Sequence, residues 1–130
     1  MMSNATPRLF RLNVEVGDAD AAAAFYGALF DTAPRPQPGA RVYLAAGPVT
    51  LQVVAVPAAH PAAKALYFAV DDLDAVHARA EDLGCLSAGD VHGTPAGQPV
   101  VRPWGERSFY CDDPWGNPLC FVDAGTIYAG

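Results

Sequence analysis

Asp112-Asp113-Pro114-Trp115-Gly116-Asn117-Pro118-Leu119-Cys120-Phe121-Val122 closes the chain as a hairpin. Its Asp, Pro, Gly and Asn residues form a turn between two short apolar runs, Ser108 to Cys111 and Leu119 to Val122, which read as strands. The hairpin ends a second half that repeats the plan of the first. Val16-Gly17-Asp18-Ala19-Asp20-Ala21 and Val70-Asp71-Asp72-Leu73-Asp74-Ala75 are one strand-to-helix junction used twice, each with an aspartate placed to cap the helix that follows.

The elements before each junction and after it fit the same plan. Leu12, Val14 and Val16 alternate with Arg11, Asn13 and Glu15, so Leu9 to Val16 is a half-buried strand with a polar second face. Ala22, Phe25 and Leu29 recur at helical spacing, which predicts a helix over Ala19 to Phe30. Pro34, Pro36, Pro38 and Gly39 break the pattern before strands at Arg41 to Ala45 and Val49 to Val56, joined by a Gly47-Pro48 turn. Pro57-Ala58-Ala59-His60-Pro61 is the linker. In the second half Ala65 to Val70 is a strand, and Leu73, Val76, Ala80 and Leu83 form a helical stripe ending at Gly84. A strand over Cys85 to Ala88 follows, then a loop through His92, Pro95 and Gly97.

These elements give an α+β domain built from two βαβββ modules. Module one spans residues 8–57 and module two residues 62–126 of a single domain, behind a loose N-terminus at residues 1–7. One helix covers one face of a four-stranded sheet and leaves the other free, so the modules together form a curved sheet whose concave cup is the expected ligand site.

The composition narrows the partners. A chain of 130 residues, 52% hydrophobic and 17% charged, is long enough for one packed core. A net charge of −6, with Lys64 as the single lysine, argues against nucleic acid and slightly favours cationic or neutral ligands. No apolar stretch reaches membrane-spanning length and no leader-like segment opens the chain, so a cytoplasmic protein without a membrane partner is expected. Cys85, Cys111 and Cys120 lack metal-type spacing and read as free thiols in a reducing compartment.

The closing hairpin, the repeated junction, Val16-Gly17-Asp18 with Phe25-Tyr26 after it, and Trp104-Gly105 before Pro114-Trp115-Gly116 together resemble the vicinal-oxygen-chelate superfamily of glyoxalase I, bleomycin-resistance proteins and extradiol dioxygenases. The likeness runs from about Leu9 to Val122. Arg102 to Tyr110 looks most like the bleomycin-resistance subgroup, whose dimers sequester a drug without chemistry. Metal-using relatives place ligands on four strands. At the matching positions this chain has Arg11 for histidine, Gln52 for a glutamate, Ala65, and Cys120 for the last glutamate. A charged arginine and an alanine cannot ligate, glutamine is a weak ligand and one thiol cannot hold an ion alone, so neither a metal nor another cofactor is expected.

The expected ligand-binding residues are Arg11, Asn13, Tyr43, Gln52, Val54, Tyr67, Trp104, Ser108, Tyr110 and Cys120, with no catalytic residue among them. Arg11 either contacts the ligand or pairs with Glu15 or Glu106. Trp104 either stacks on a flat ligand or wedges a dimer interface. Strand parity puts Ser108 and Tyr110 on one face, and the resemblance places Tyr110 where dioxygenases carry an active-site tyrosine. Cys120 is a small buried thiol by default, and a reactive one only if an arginine stabilises its thiolate. His60, His77 and His92 read as ordinary surface or boundary histidines.

The expected function is therefore metal-independent binding or sequestration of a natural-product antibiotic or aromatic metabolite by a homodimer. The alternatives are a lyase or isomerase with a non-standard glyoxalase/dioxygenase-like site, a metal enzyme with unorthodox ligands, or a module whose cup is packed shut.

Overall fold

The computed structural model describes residues 5–130, so the looseness expected of the first seven residues falls, for Met1 to Asn4, outside the described part. Module one comprises β1 (Arg11–Val16), α1 (Ala19–Phe30), β2 (Arg35–Gln37), β3 (Arg41–Ala46) and β4 (Val49–Ala55). Module two comprises β5 (Leu66–Val70), α2 (Leu73–Asp82), a hairpin of β6 (Asp90–Val91) and β7 (Thr94–Pro95), then β8 (Val100–Val101), β9 (Arg107–Asp112) and β10 (Pro118–Asp123). The sheets are ordered β1-β4-β3-β2 and β5-β10-β9-β8. In each, the first strand lies parallel to the last and the remaining pairs are antiparallel, so the repeat seen in sequence is a repeat of topology. Among the described residues no helix is long and apolar enough to cross a membrane.

The two junctions fold alike because their caps are alike. The Asp18 carboxylate accepts the Ala21 N–H at 2.8 Å, and the Asp72 carboxylate accepts the Ala75 N–H at 3.0 Å. Each helix then buries one stripe, Ala22, Phe25, Tyr26 and Leu29 from α1 and Leu73, Val76 and Ala80 from α2. The core is continuous between modules. Phe30 of α1 packs edge-on against both Phe68 and Phe121 of the second sheet, and Phe121 stacks on Phe109.

Three expectations need correction. The proline-rich segment that was to be a break holds β2, which survives as an edge strand because an edge tolerates proline's missing N–H. The strand expected over Cys85 to Ala88 is reduced to one bridge, Leu86 to Cys111, because the chain leaves β9 to build the β6-β7 hairpin. Leu83 caps α2 rather than extending its stripe, and is 37% exposed.

The closing turn joins the modules. Asp113 accepts the backbone N–H groups of Trp115 and Asn117, the Asn117 amide and, at 2.7 Å, the Tyr26 hydroxyl of α1. Asn117 accepts the N–H of Ala62, the residue after the linker, and donates to the Glu15 carbonyl of β1. Burial and the neighbouring Asp113 hold the Tyr26 phenol far above its ordinary range.

Candidate functional site

The helix-free face of the first sheet is built in register. Arg35, Tyr43, Gln52 and Asn13 form one row across β2, β3, β4 and β1, and Gln37, Arg41, Val54 and Glu15 form the next. Period-two alternation sends Val14, Leu44, Leu51 and Val53 to the core and leaves these polar and aromatic side chains on the other face. Arg11, Arg35 and Arg41 place their guanidinium carbons 5.3, 6.0 and 5.9 Å from the Tyr43 ring centre. Arg11 thus makes neither of the ion pairs weighed for it. It lies over Phe10 and Tyr43, while the Glu15 carboxylate accepts the His60 N–H.

The second sheet's helix-free face carries Tyr67, Tyr110, Ser108 and Cys120. Cys120 of β10 stands opposite Tyr67 of β5 and Tyr110 of β9, and the two phenol oxygens are 3.2 Å apart. Tyr67 is 59% exposed and Cys120 is fully buried beneath the pair. Burial pushes the Cys120 thiol up to about 11, against hydrogen bonds from Ser108 and Tyr110 and the nearby Arg102 charge, which pull it down. Burial, then the hydrogen bond with Tyr67, raises the Tyr110 phenol as well.

Arg102 was not among the expected site residues, yet it underlies this face. Only 2% exposed, it donates to Ser108 Oγ and carbonyl, Thr94 Oγ1, and the carbonyls of Pro95, Ala96 and Gln98, with its guanidinium 5.4 Å from the Tyr110 ring centre. No carboxylate is among these partners, so neutral dipoles alone solvate the buried charge. Ala96 also accepts the Tyr110 N–H, which fastens the loop after β7 to the sheet.

Trp104 stands apart from both groups, its indole N–H donating to Glu106 at 2.8 Å and its ring edge-on to His92. The ten expected ligand-binding residues therefore fall into a first-sheet group, a second-sheet group and Trp104, and no hydrogen bond or ring contact joins the two sheet groups. A separate groove of about 390 Å³ runs by β5, lined by Leu29, Phe30, Tyr67, Phe68, Val76 and Phe121 among others. Of the histidines, His77 bonds the Gly97 carbonyl and meets Phe109 edge-on, a structural placement.

The residues present do not fit a divalent ion. Arg11 is a cation, the Gln52 carbonyl is taken by Arg41, Ala65 offers no donor atom and Cys120 is a single thiol, fully buried. Among the described residues, no three His, Cys, Asp or Glu side chains gather in a metal-binding group.

Two modules of this topology, each with a helix on one sheet face and a free second face, have the architecture of the vicinal-oxygen-chelate superfamily. The family model described as a glyoxalase-like domain matches residues 11–122, and the chain belongs to that family. Among solved structures, Oxidase ChaP-H1 is 23% identical with a TM-score of 0.75, covering 96% of this chain and 100% of its own. A lactoylglutathione lyase from Agrobacterium tumefaciens is 22% identical with a TM-score of 0.68, covering 98% and 100%. A bleomycin resistance determinant encoded on the transposon Tn5 is 22% identical with a TM-score of 0.68, covering 90% and 98%. These likenesses speak for the fold. No curated protein matches the chain. Members of the superfamily bind small-molecule ligands and often act as dimers.

Proposed function

We propose that the protein is a metal-independent small-molecule binder that sequesters a natural-product antibiotic or aromatic metabolite on its helix-free sheet faces, acting as a homodimer in the cytoplasm, where its three free thiols stay reduced. The observation that carries this reading is the second-sheet face, where paired Tyr67 and Tyr110 phenols offer flat apolar area with hydrogen-bonding tips above a buried thiol. The Tn5 bleomycin resistance determinant supports it by analogy of fold.

A lyase or isomerase is the second reading, favoured by the lactoylglutathione lyase and the oxidase of like fold. It needs a base or nucleophile ionised near neutral pH. The upward shifts of Cys120 and Tyr110 speak against either group in that role.

A thermal-shift screen of chelator-treated protein tests the proposal, using natural-product antibiotics and planar aromatic metabolites with divalent metals in parallel wells. A ligand at a hundred times its Kd stabilises the fold by about 2.7 kcal/mol, a readily measured shift in Tm. Stabilisation by an organic compound in the presence of chelator is the expected result. Stabilisation by metals with none by organic compounds would overturn it.

A further inference from the structure

The two sheet faces differ in charge. On a chain of net charge −6, three of the seven arginines converge on Tyr43, and none of the three bonds a carboxylate. The one salt bridge among the described residues, Arg107 with Asp74, lies elsewhere. Arg41 is anchored by neutral acceptors, the Pro38 carbonyl at 2.8 Å and Gln52 Oε1 at 3.1 Å, while among the described residues the side chains of Arg11 and Arg35 have ring contacts only.

Arg41 also sets the polarity of the amides beside it. A guanidinium only donates, so Gln52 must turn its oxygen to Arg41 and its NH2 to Asn13. Asn13 accepts that bond at 2.6 Å with its own oxygen and is left with its NH2 directed away from the chain of bonds. This relay resolves the usual ambiguity of amide orientation and leaves the Asn13 NH2 as the donor at its end. Glu15, the one carboxylate of β1 on this face, is occupied by the linker N–H of His60.

Three like charges around one ring repel each other, and the cation–π contacts they share offset this only in part. A guanidinium without a carboxylate partner gains from an added anion, since its fork matches the paired oxygens of a carboxylate or phosphate.

We propose that the first sheet's helix-free face binds an oxyanion, the carboxylate or phosphate of a small organic ligand, through Arg11, Arg35 and Arg41 with the Asn13 amide as an added donor. This inference rests on the small-molecule-binding reading and gives its ligand a charge. It reverses the preference for cationic or neutral ligands expected from net charge, because the local field at Tyr43 is positive where the chain as a whole is negative.

Isothermal titration of the full chain with 2-naphthoate, its uncharged analogue 2-naphthamide and inorganic phosphate tests this, in wild type and in the double variant Arg11→Gln/Arg35→Gln. Among the described residues the side chains of both substituted arginines make ring contacts only, and circular dichroism with the unfolding midpoint checks that the variant folds. Wild type should bind naphthoate at least about tenfold more tightly than naphthamide, with an affinity that falls as salt rises. The double variant should lose the phosphate response and bind the acid and the amide alike. Equal binding of acid and amide by wild type would overturn the charge assignment and leave small-molecule binding standing. A preference for the acid that persists in the variant would place the anion elsewhere and overturn the site. No binding of any of the three would count against both readings.

Discussion

Arg102 shows how much one side chain can do where its charge has no counter-ion. It carries six hydrogen bonds to neutral groups on the β6-β7 hairpin, the loop after it and β9, so it is the crosslink that holds that hairpin onto the second sheet. Burying a guanidinium is costly, and these dipoles offset the cost only while all of them point at it. Truncating the side chain removes the cost and also strands the acceptors of Ser108, which is 1% exposed, and the second effect wins because the Ser108 carbonyl cannot turn to water without breaking the sheet. We predict that Arg102→Ala lowers stability by about 3 kcal/mol, seen as a lower urea midpoint with an unchanged m-value. Arg102→Lys should rescue little, since an ammonium has three donors and cannot reproduce a planar fork. An Arg102→Ala midpoint equal to wild type would mean that the hairpin docks without the crosslink. The same residue bears on Cys120. Its charge favours the thiolate, yet desolvation outweighs it and leaves the thiol at about 11, so the reactive-thiol reading loses to burial.

At the level of elements, the Asp113 to Asn117 turn does the work of an interface. It gathers the Tyr26 hydroxyl from α1, the Glu15 carbonyl from β1 and the Ala62 N–H just past the linker, so the module junction is held by the closing turn as well as by the apolar core. Asn117→Ala removes its bond to the Glu15 carbonyl of module one, together with those to the Ala62 N–H and the Asp113 carboxylate, and a loss of about 2 kcal/mol in the thermal or urea transition is expected. If the modules were held by the core alone, the variant would unfold within about 0.5 kcal/mol of wild type. Gly17 meets the same turn, where a Cβ would lie 2.8 Å from the Trp115 indole nitrogen. The hairpin, both capped junctions and α1 were legible in sequence because their signals are local, an aspartate before a periodic run or a turn between apolar runs. β2 was not, since its pairing with β3 is decided by an edge position that three prolines conceal. With β2 unseen, Arg35 could not be placed beside Tyr43. Parity along β3 alone already put Arg41 on the Tyr43 face, and that was the available signal for the arginine cluster. Arg102 left no such signal, because its burial depends on a hairpin whose docking is non-local.

For the whole molecule, both helix-free faces of the chain are left partly open. Tyr67 is exposed on the second, Arg11 and Arg35 are exposed on the first, and β1 and β5 are edge strands with no neighbour on their outer sides. Leu9 and Phe10, 65% and 66% exposed, precede β1, and Leu9 shares an apolar hollow with Tyr67. Ile127, also exposed, reaches Tyr67 from the C-terminal side. An apolar surface of this kind beside two free strand edges is a liability for a monomer and an asset for a homodimer. Light scattering after size exclusion is therefore expected to give the mass of two chains. Phe10→Asp would place a charge in that surface, beside Arg11, and should shift the protein toward one chain with little change in the unfolding transition of the monomer. Dimerisation and binding are then linked. If a second copy completes each open face, a ligand found in the thermal-shift screen should bind Phe10→Asp more weakly, and wild type should lose affinity on dilution below the dimer Kd. A monomeric variant with undiminished affinity would mean that each chain's two faces bind on their own and that the partner serves only to cover apolar surface.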